Sequence, residues 1–136
     1  MAKESGLAWT TCSVDDSGGS LQAIINDVTN LEYATPRGVQ ETTGIDKSAI
    51  ERLLLLADFS CTLNGVFNDA ATTGAHTVLK TAGSFTGNRT LTLVVSGQTL
   101  TNETIQTDFA LTRAASGELT WTAPFVLSNG TVPTWT

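Results

Sequence analysis

The side chains that could support catalysis are few in this sequence, and their spacing does not match a catalytic triad. His76 is the only histidine, so a nucleophilic site would have to recruit a serine and a carboxylate from elsewhere in the chain. No G-x-S-x-G segment, which would expose such a serine on a sharp turn, is present. We therefore predict that His76 is a surface or half-buried packing residue and that the protein is not an enzyme.

Metal and cofactor sites are not indicated either. Cys12 and Cys61, together with one histidine, lack any zinc-type spacing. The segment Asp15-Asp16-Ser17-Gly18 resembles a fragment of a calcium loop, but the alternating acids and the distal glutamate of such loops are missing. We predict a turn at this segment and no cofactor. Each cysteine shares its strand parity with apolar residues, which favours two buried thiols over a disulfide.

Length and composition indicate one domain with an ordinary core and an unusually uncharged surface. The chain has 136 residues, of which 40% are hydrophobic and only 15% are charged. Its formal net charge of -6 argues against a protein that binds nucleic acid by neutralising phosphates. The longest wholly apolar run, Leu53 to Ala57, is far too short to cross a membrane.

Alternation of apolar and polar residues predicts strands along most of the chain. The segments with this pattern are 7–14, about 28–35, about 57–67, 91–95, 105–111 and 119–127. One helix is predicted at about residues 74–82, where Ala75, Val78, Leu79 and Ala82 share a face. The predicted fold is mainly β, an antiparallel sandwich or barrel with one short flanking α-helix, in a single domain spanning residues 1–136.

The central region combines a predicted loop with a dense apolar segment. Residues 34–48 contain one proline, two glycines and few large hydrophobic residues, so we expect a long loop there. The apolar segment that follows consists of Ile50, Leu53, Leu54, Leu55 and Leu56. Ile50, Leu53 and Leu54 fit one helical face, but a helix here would be apolar most of the way round. We predict that this segment is covered on more than one side.

Two of the three tryptophans can be interpreted from their positions. Trp121 is in phase with Leu119 and Phe125, which places it in the predicted core. Trp135 is the penultimate residue, where an apolar ring is usually packed back on its domain or offered to a partner. We interpret Trp135 as a C-terminal anchor.

Three stretches of the sequence together resemble a known family. They are DVTNLEYATPRGVQETTGIDKSAIERLLLLADFSCTLNGVFNDA, the helical GAHTVLK, and the C-terminal TRAASGELTWTAPFVLSNGTVPTW. In this order they resemble the major tail tube proteins of long-tailed, siphovirus-type bacteriophages, particularly those that infect actinobacteria. The similarity covers nearly the whole chain, and related proteins often interrupt the leucine run with Gly or Pro.

The resemblance implies a virion structural protein rather than a catalyst. It implies that six copies close into a ring, that rings stack into a hollow tail tube, and that DNA passes through without specific binding. Tape measure, tail tip and terminator proteins would be partners, with assembly in the host cytoplasm and the virion tail as final location. Threonine-rich edge strands with few Lys or Pro residues independently suit pairing with another copy.

The same interpretation assigns roles to individual residues. The loop is expected to contact an adjacent subunit or ring through Arg37, Val39, Glu41, Ile45, Asp46 and Lys47. The apolar segment is expected to pack at an interface. Acids in or beside predicted strands are candidates for the channel wall, where carboxylates would repel phosphates and let DNA slide: Asp27, Glu32, Glu103 and Asp108.

A secreted or pilus-like β-sandwich that binds sugar or protein is the alternative. It would use the same threonine-rich strands and an exposed tryptophan. A signal peptide encoded by the full gene would favour this alternative over the tail tube.

Overall fold

The computed structural model of the protein describes residues 3–136, and ten strands make up much of that part of the chain. In chain order they are β1 (Trp9–Asp15), β2 (Leu21–Ala23), β3 (Val28–Ala34), β4 (Arg37–Glu41), β5 (Arg52–Ala57), β6 (Ser60–Val66), β7 (Arg89–Val95), β8 (Gln98–Gln106), β9 (Ala110–Arg113) and β10 (Leu119–Leu127). The α-helix, α1, spans Ala75–Leu79, and 3-10 turns occur at Gly6–Ala8 and Ile25–Asp27. The predicted fold class is confirmed, although α1 is shorter than the predicted 74–82.

Eight strands form one antiparallel sheet that folds back on itself. The strand order is β2-β1-β7-β8-β10-β6-β3, with β9 also paired to β10. Strand β8 pairs with β7 from Gln98 to Thr104 but with β10 only from Thr104 to Gln106. Buried residues from the two halves of the sheet meet in a single cluster, which requires the sheet to turn at this short junction. The result is a two-layered sandwich.

The core of the sandwich follows the predicted alternation in most strands. Buried apolar residues of the cluster are Cys12, Val14, Ile24, Phe59, Cys61, Leu63, Ala75, Val78, Leu79, Leu91, Leu93, Leu100, Trp121, Ala123 and Phe125. Trp121 is buried, as predicted, and its indole Nε1 donates a hydrogen bond to the carbonyl oxygen of Val66 at 2.8 Å. Strand parity was therefore a sound guide to the core of β1, β6, β7 and β10.

Strand β8 is the place where the predicted alternation is wrong. The sequence suggested one strand through Ile105 and Leu111, with these residues inward. Instead β8 ends at Gln106, β9 begins at Ala110, and both Ile105 and Leu111 are exposed. The inward residue is Thr104, whose hydroxyl donates to the carbonyl oxygen of Arg89 at 2.8 Å. Because this hydrogen bond satisfies the buried hydroxyl, a polar residue occupies a core position that hydrophobicity alone would not assign.

One glycine is required by the packing of the second layer. A Cβ on Gly65 would lie 2.7 Å from the Trp121 ring and 2.0 Å from the carbonyl oxygen of Asp27. Strand β6 can therefore pass between these groups only without a side chain at this position.

Candidate assembly surface

Strands β4 and β5 form a separate two-stranded hairpin. Among the described residues neither strand pairs with the main sheet. The register places Val39 opposite Leu54 and Gln40 opposite Leu53, with an irregularity between Arg37 and Val39. The hairpin is therefore joined to the sandwich at its base.

The hairpin corrects one expectation from sequence and gives the leucine run a conformation that the sequence left open. The predicted loop at 34–48 contains β4 over Arg37–Glu41, and the leucine run is strand β5 rather than a helix. An extended conformation suits the segment because alternate side chains of a strand project to opposite faces. The four leucines thus lie on the two faces of the strand, two on each face.

Both faces of the hairpin are apolar and exposed to solvent. Leu54 and Leu56 share one face, and they are 62% and 90% exposed. Leu53 and Leu55 share the other face and are also exposed. An isolated two-stranded hairpin is only marginally stable in water, and contiguous exposed apolar patches usually mark an interaction surface. The expected covering on more than one side is not supplied by residues 3–136 of the same subunit.

Polar contacts close the base of the hairpin. The guanidinium of Arg37 donates from Nε and Nη2 to the carbonyl oxygen of Leu55, at 3.0 and 2.8 Å. The backbone N–H of Asp58 donates to the carbonyl oxygen of Pro36 at 3.1 Å. These contacts hold the two strands together at the point where the hairpin leaves the sandwich.

The tip of the hairpin is also ordered by local hydrogen bonds. The backbone N–H of Glu51 donates to the Thr43 hydroxyl at 2.8 Å. The Lys47 ammonium lies 3.9 Å from carboxylate oxygens of both Asp46 and Glu51. All three charged side chains are largely exposed, so these ion pairs contribute little to stability. Ile45 projects from the tip and is fully exposed.

The C-terminal tail packs back on the sandwich. The indole Nε1 of Trp135 donates to the phenol oxygen of Tyr33 at 3.1 Å, and its ring centroid lies 6.5 Å from that of Trp9. Thr136 exchanges two backbone hydrogen bonds with Thr99, at 2.8 and 2.9 Å. Trp135 thus bridges β1 and β3, in the position of an anchor.

The four candidate channel acids differ in accessibility. Asp27 is only 5% exposed, and its carboxylate accepts hydrogen bonds from Asn68 Nδ2 and from the backbone N–H of Ala75. Asp27 therefore caps α1 within the subunit and is not available to line a channel. Asp108 and Glu32 are exposed, whereas Glu103 is partly buried and accepts a hydrogen bond from the Thr90 hydroxyl.

The two cysteines are free and buried, as the sequence predicted. Burial raises the pKa of the Cys12 thiol from 9.0 to about 12. Burial raises the pKa of the Cys61 thiol to about 12 as well, with a smaller contribution from Cys12. Both thiols are therefore protonated and chemically inert near neutral pH.

The other residues considered for chemistry have structural surroundings. The His76 ring lies between those of Phe67 and Phe109, with centroids 4.5 and 5.5 Å away. The Asp16 carboxylate accepts hydrogen bonds from the backbone N–H groups of Ser20 and Gly18, and the bond from Ser20 contributes most to lowering its pKa. This segment is the predicted turn. Within residues 3–136, no group of three or more His, Cys, Asp or Glu side chains is arranged to hold a metal ion.

Arg89 is a structural residue that sequence reasoning missed. It is fully buried, and its Nη1 donates to the carbonyl oxygens of Asp15 and Val78 at 2.7 and 3.1 Å. Its Nη2 donates to the Thr81 hydroxyl, and burial lowers its pKa. Arg89 thus joins β1, β7 and the end of α1. It lies in the turn-rich segment GNRT, where the sequence pattern does not indicate burial.

None of the described helices is long and apolar enough to span a membrane.

Comparisons with known proteins show what fold this chain shares. No protein-family model and no curated protein matches the sequence. Among solved structures, the chain is similar to a protein of the virion of a native gene transfer agent particle, with a TM-score of 0.76 and 13% identity over 98% of this chain and 99% of that one. It is also similar to a protein from the tail of an empty gene transfer agent particle reconstructed with C6 symmetry, with a TM-score of 0.75 and 14% identity over 98% and 99% of the two chains. At these identities the likeness is one of fold.

Proposed function

We propose that the protein is the structural subunit of a phage-type tail tube, in which six copies close into a ring and rings stack around a channel. The observation that carries this proposal is the hairpin β4–β5, which exposes leucines on both faces. A monomer gains nothing from this arrangement, because exposed apolar surface costs free energy at about 25 cal/mol per Å². Neighbouring copies on both sides of the hairpin would remove that surface from water.

Strand edges support lateral assembly of the same subunit. Strands β2 and β3 end the strand order of the main sheet within the described chain. Strand β3 runs for seven residues without Lys or Pro, the residues that usually protect an edge from pairing with another chain. We assign β3 to pairing with a neighbour in the ring.

The solved neighbours support a tail structural protein at the level of fold. One belongs to a C6-symmetric tail of a gene transfer agent particle and covers nearly all of the present chain. Fold alone does not determine function, but the fold together with the exposed hairpin and the open strand edge supports a subunit that assembles into a tube.

The charge of the chain suits a conduit for DNA. With a formal net charge of -6, the subunit would repel phosphates rather than bind them. Glu32, Glu103 and Asp108 are candidates for the channel wall. Asp27 is not a candidate, because it is buried within the subunit. Tape measure, tail tip and terminator proteins would be the other partners, the virion tail would be the final location, and assembly would take place in the host cytoplasm.

The secreted or pilus-like adhesion module is less well supported. That alternative would present an exposed aromatic ring to a ligand, and the position of Trp135 near the C-terminus makes it a candidate for that ring. In the structure the Trp135 ring packs against Trp9 and Tyr33 instead.

Negative-stain electron microscopy of the concentrated, purified protein tests the proposal. Tubes of uniform width with an axial channel would support it. Protein that stays monomeric at high concentration, or forms only irregular aggregates, would refute it.

A further inference from the structure

We propose that the hairpin tip of one copy docks into the hairpin base of a second copy, with Ile45 seated in a groove beside Leu54–Leu56 and with Asp46 facing Arg37. This inference rests on the proposed self-assembly and names the acceptor surface for the hairpin.

The acceptor is an open groove at the base of the hairpin. It has a volume of about 610 Å³ and is lined by Arg37, the segment 54–57 and Val132 of the C-terminal tail. Val132 is 63% exposed, and the leucines beside it are exposed as well. The groove is therefore apolar, with one cation at its border and enough room for a large aliphatic side chain.

The tip carries a matching apolar group. Ile45 is fully exposed and lies in a turn between two paired strands. Backbone hydrogen bonds on either side hold that turn, from Thr42 to Glu51 and from Lys47 to Gly44. The tip can thus present Ile45 with little loss of backbone entropy on binding.

The charges next to these apolar groups are complementary. In Arg37, Nε and Nη2 donate to the carbonyl oxygen of Leu55. Among residues 3–136, Nη1 has no hydrogen-bond partner and the side chain forms no ion pair. Asp46 follows Ile45 directly, its side chain is 77% exposed, and its ion pair with Lys47 is long at 3.9 Å. Seating Ile45 in the groove would bring the Asp46 carboxylate to the free nitrogen of Arg37, at a partly desolvated site where a charge-assisted hydrogen bond is strong.

A chain cannot make this contact with itself. Gly44 is seven positions after Arg37, so at about 3.3 Å per residue the tip lies roughly 23 Å from its own base. The contact therefore joins two copies. In the proposed tube, where rings stack in one direction, it is heterologous and propagates from one copy to the next.

Disulfide trapping between copies tests the inference. We would prepare the double variant Ile45→Cys/Val132→Cys, concentrate it, oxidise it with copper phenanthroline and separate it on a non-reducing denaturing gel. The native thiols do not interfere, because both are buried and their pKa values are raised to about 12. The inference predicts a ladder of covalent dimers, trimers and longer chains, since each copy offers one tip and one base.

Several controls test whether the ladder is specific. Each single variant should give no chains beyond a dimer, and mixing the two single variants should give a heterodimer. The matched variant Leu7→Cys/Val132→Cys, which uses another highly exposed site, should give no ladder. Adding Asp46→Lys to the trapping variant should reduce the ladder at least tenfold, whereas adding Glu51→Lys at the same tip should not.

Electron microscopy of the same unoxidised sample separates this inference from the proposed function. Tubes without a ladder and without the heterodimer would overturn tip-to-base docking and leave the tube intact. A ladder from the variant, together with no tubes from the wild-type protein, would support the docking and refute the tube. A ladder of equal strength in the Leu7→Cys control would show random collision and overturn the docking.

Discussion

The carboxylate of Asp27 accepts a hydrogen bond from the backbone N–H of Ala75 at 3.0 Å, joining the 3-10 turn before β3 to the start of α1. The same carboxylate accepts two bonds from Asn68 Nδ2, at 3.0 and 3.1 Å. An acid that looked like a surface charge in the sequence is thus a buried cap for a helix that has no side-chain cap of its own from Gly74.

Replacing Asp27 with alanine should destabilise the subunit. The change leaves the Ala75 N–H and the Asn68 amide without their acceptor in a buried site, which costs roughly 1–3 kcal/mol. Urea unfolding of the unassembled protein measures this loss. Glu32→Gln, at an exposed position, is the control and should change the free energy of unfolding by less than about 0.5 kcal/mol. Equal stability of Asp27→Ala and wild type would contradict the capping role.

Replacing Leu54 with aspartate should block assembly without unfolding the subunit. Leu54 is 62% exposed in the free subunit, so the new carboxylate stays in water there. In the proposed tube it would be buried without a partner, at a cost of several kcal/mol. A cost of about 3 kcal/mol raises the protein concentration needed for assembly roughly 100-fold.

Circular dichroism and sedimentation of Leu54→Asp check both parts of that prediction. Leu63→Asp, which places the same charge in the fully buried core, should fail to fold and serves as the contrast. Tubes formed by Leu54→Asp at the wild-type concentration would mean that this face of the hairpin stays in solvent.

Stability should fall at alkaline pH because of the two thiols. Folding raises the pKa of Cys12 and Cys61 from 9.0 to about 12, so above pH 9 the unfolded chain loses protons that the folded chain keeps. The contribution is present in full below pH 9 and is lost as the pH rises toward 12, at about 1.4 kcal/mol per pH unit for each thiol. Urea unfolding at several pH values measures the slope. The Cys12→Ala/Cys61→Ala variant should show a shallower slope, and an identical slope would exclude the thiols as its cause.

Trypsin should cleave the free subunit at the hairpin tip and spare it in assembled protein. Lys47 lies in the exposed turn, whereas Arg37 lies in β4 with its guanidinium bound to Leu55. We therefore expect the first cut after Lys47 and a slower one after Arg37, because the segment predicted as a long loop contains strand β4. Mass spectrometry of early fragments identifies the site. Equal cleavage at Lys47 in subunits and tubes would exclude the tip from assembly contacts.

Much of the sandwich could be predicted from the sequence because its strands obey simple alternation. Leu91 and Leu93, or Ala123 and Phe125, are buried as their parity indicates. Strand β8 does not follow this alternation, because the Thr104 hydroxyl is buried with a hydrogen bond to the Arg89 carbonyl oxygen. That partner lies on another strand and cannot be identified from the residues next to Thr104 in the sequence.

The hairpin could be predicted only in part, for a different physical reason. Its apolar content signalled a segment covered on more than one side, but the pattern of Leu53 to Leu56 has neither strand nor helix period. A strand that is apolar on both faces is normal only where both faces are buried, and here residues 3–136 leave both faces exposed. Asp27 was misjudged similarly, since its partner Asn68 is 41 residues away.

A helical reconstruction of the assembled protein by electron cryomicroscopy tests the central claim most directly. The claim is that the hairpin β4–β5 is an assembly element whose two apolar faces are covered by other copies. The reconstruction should show rings of six subunits with Leu54 and Leu56 against one neighbour and with Leu53 and Leu55 buried on the opposite face. Tubes in which the hairpins project into solvent, or a protein that forms no tubes at any concentration, would contradict it.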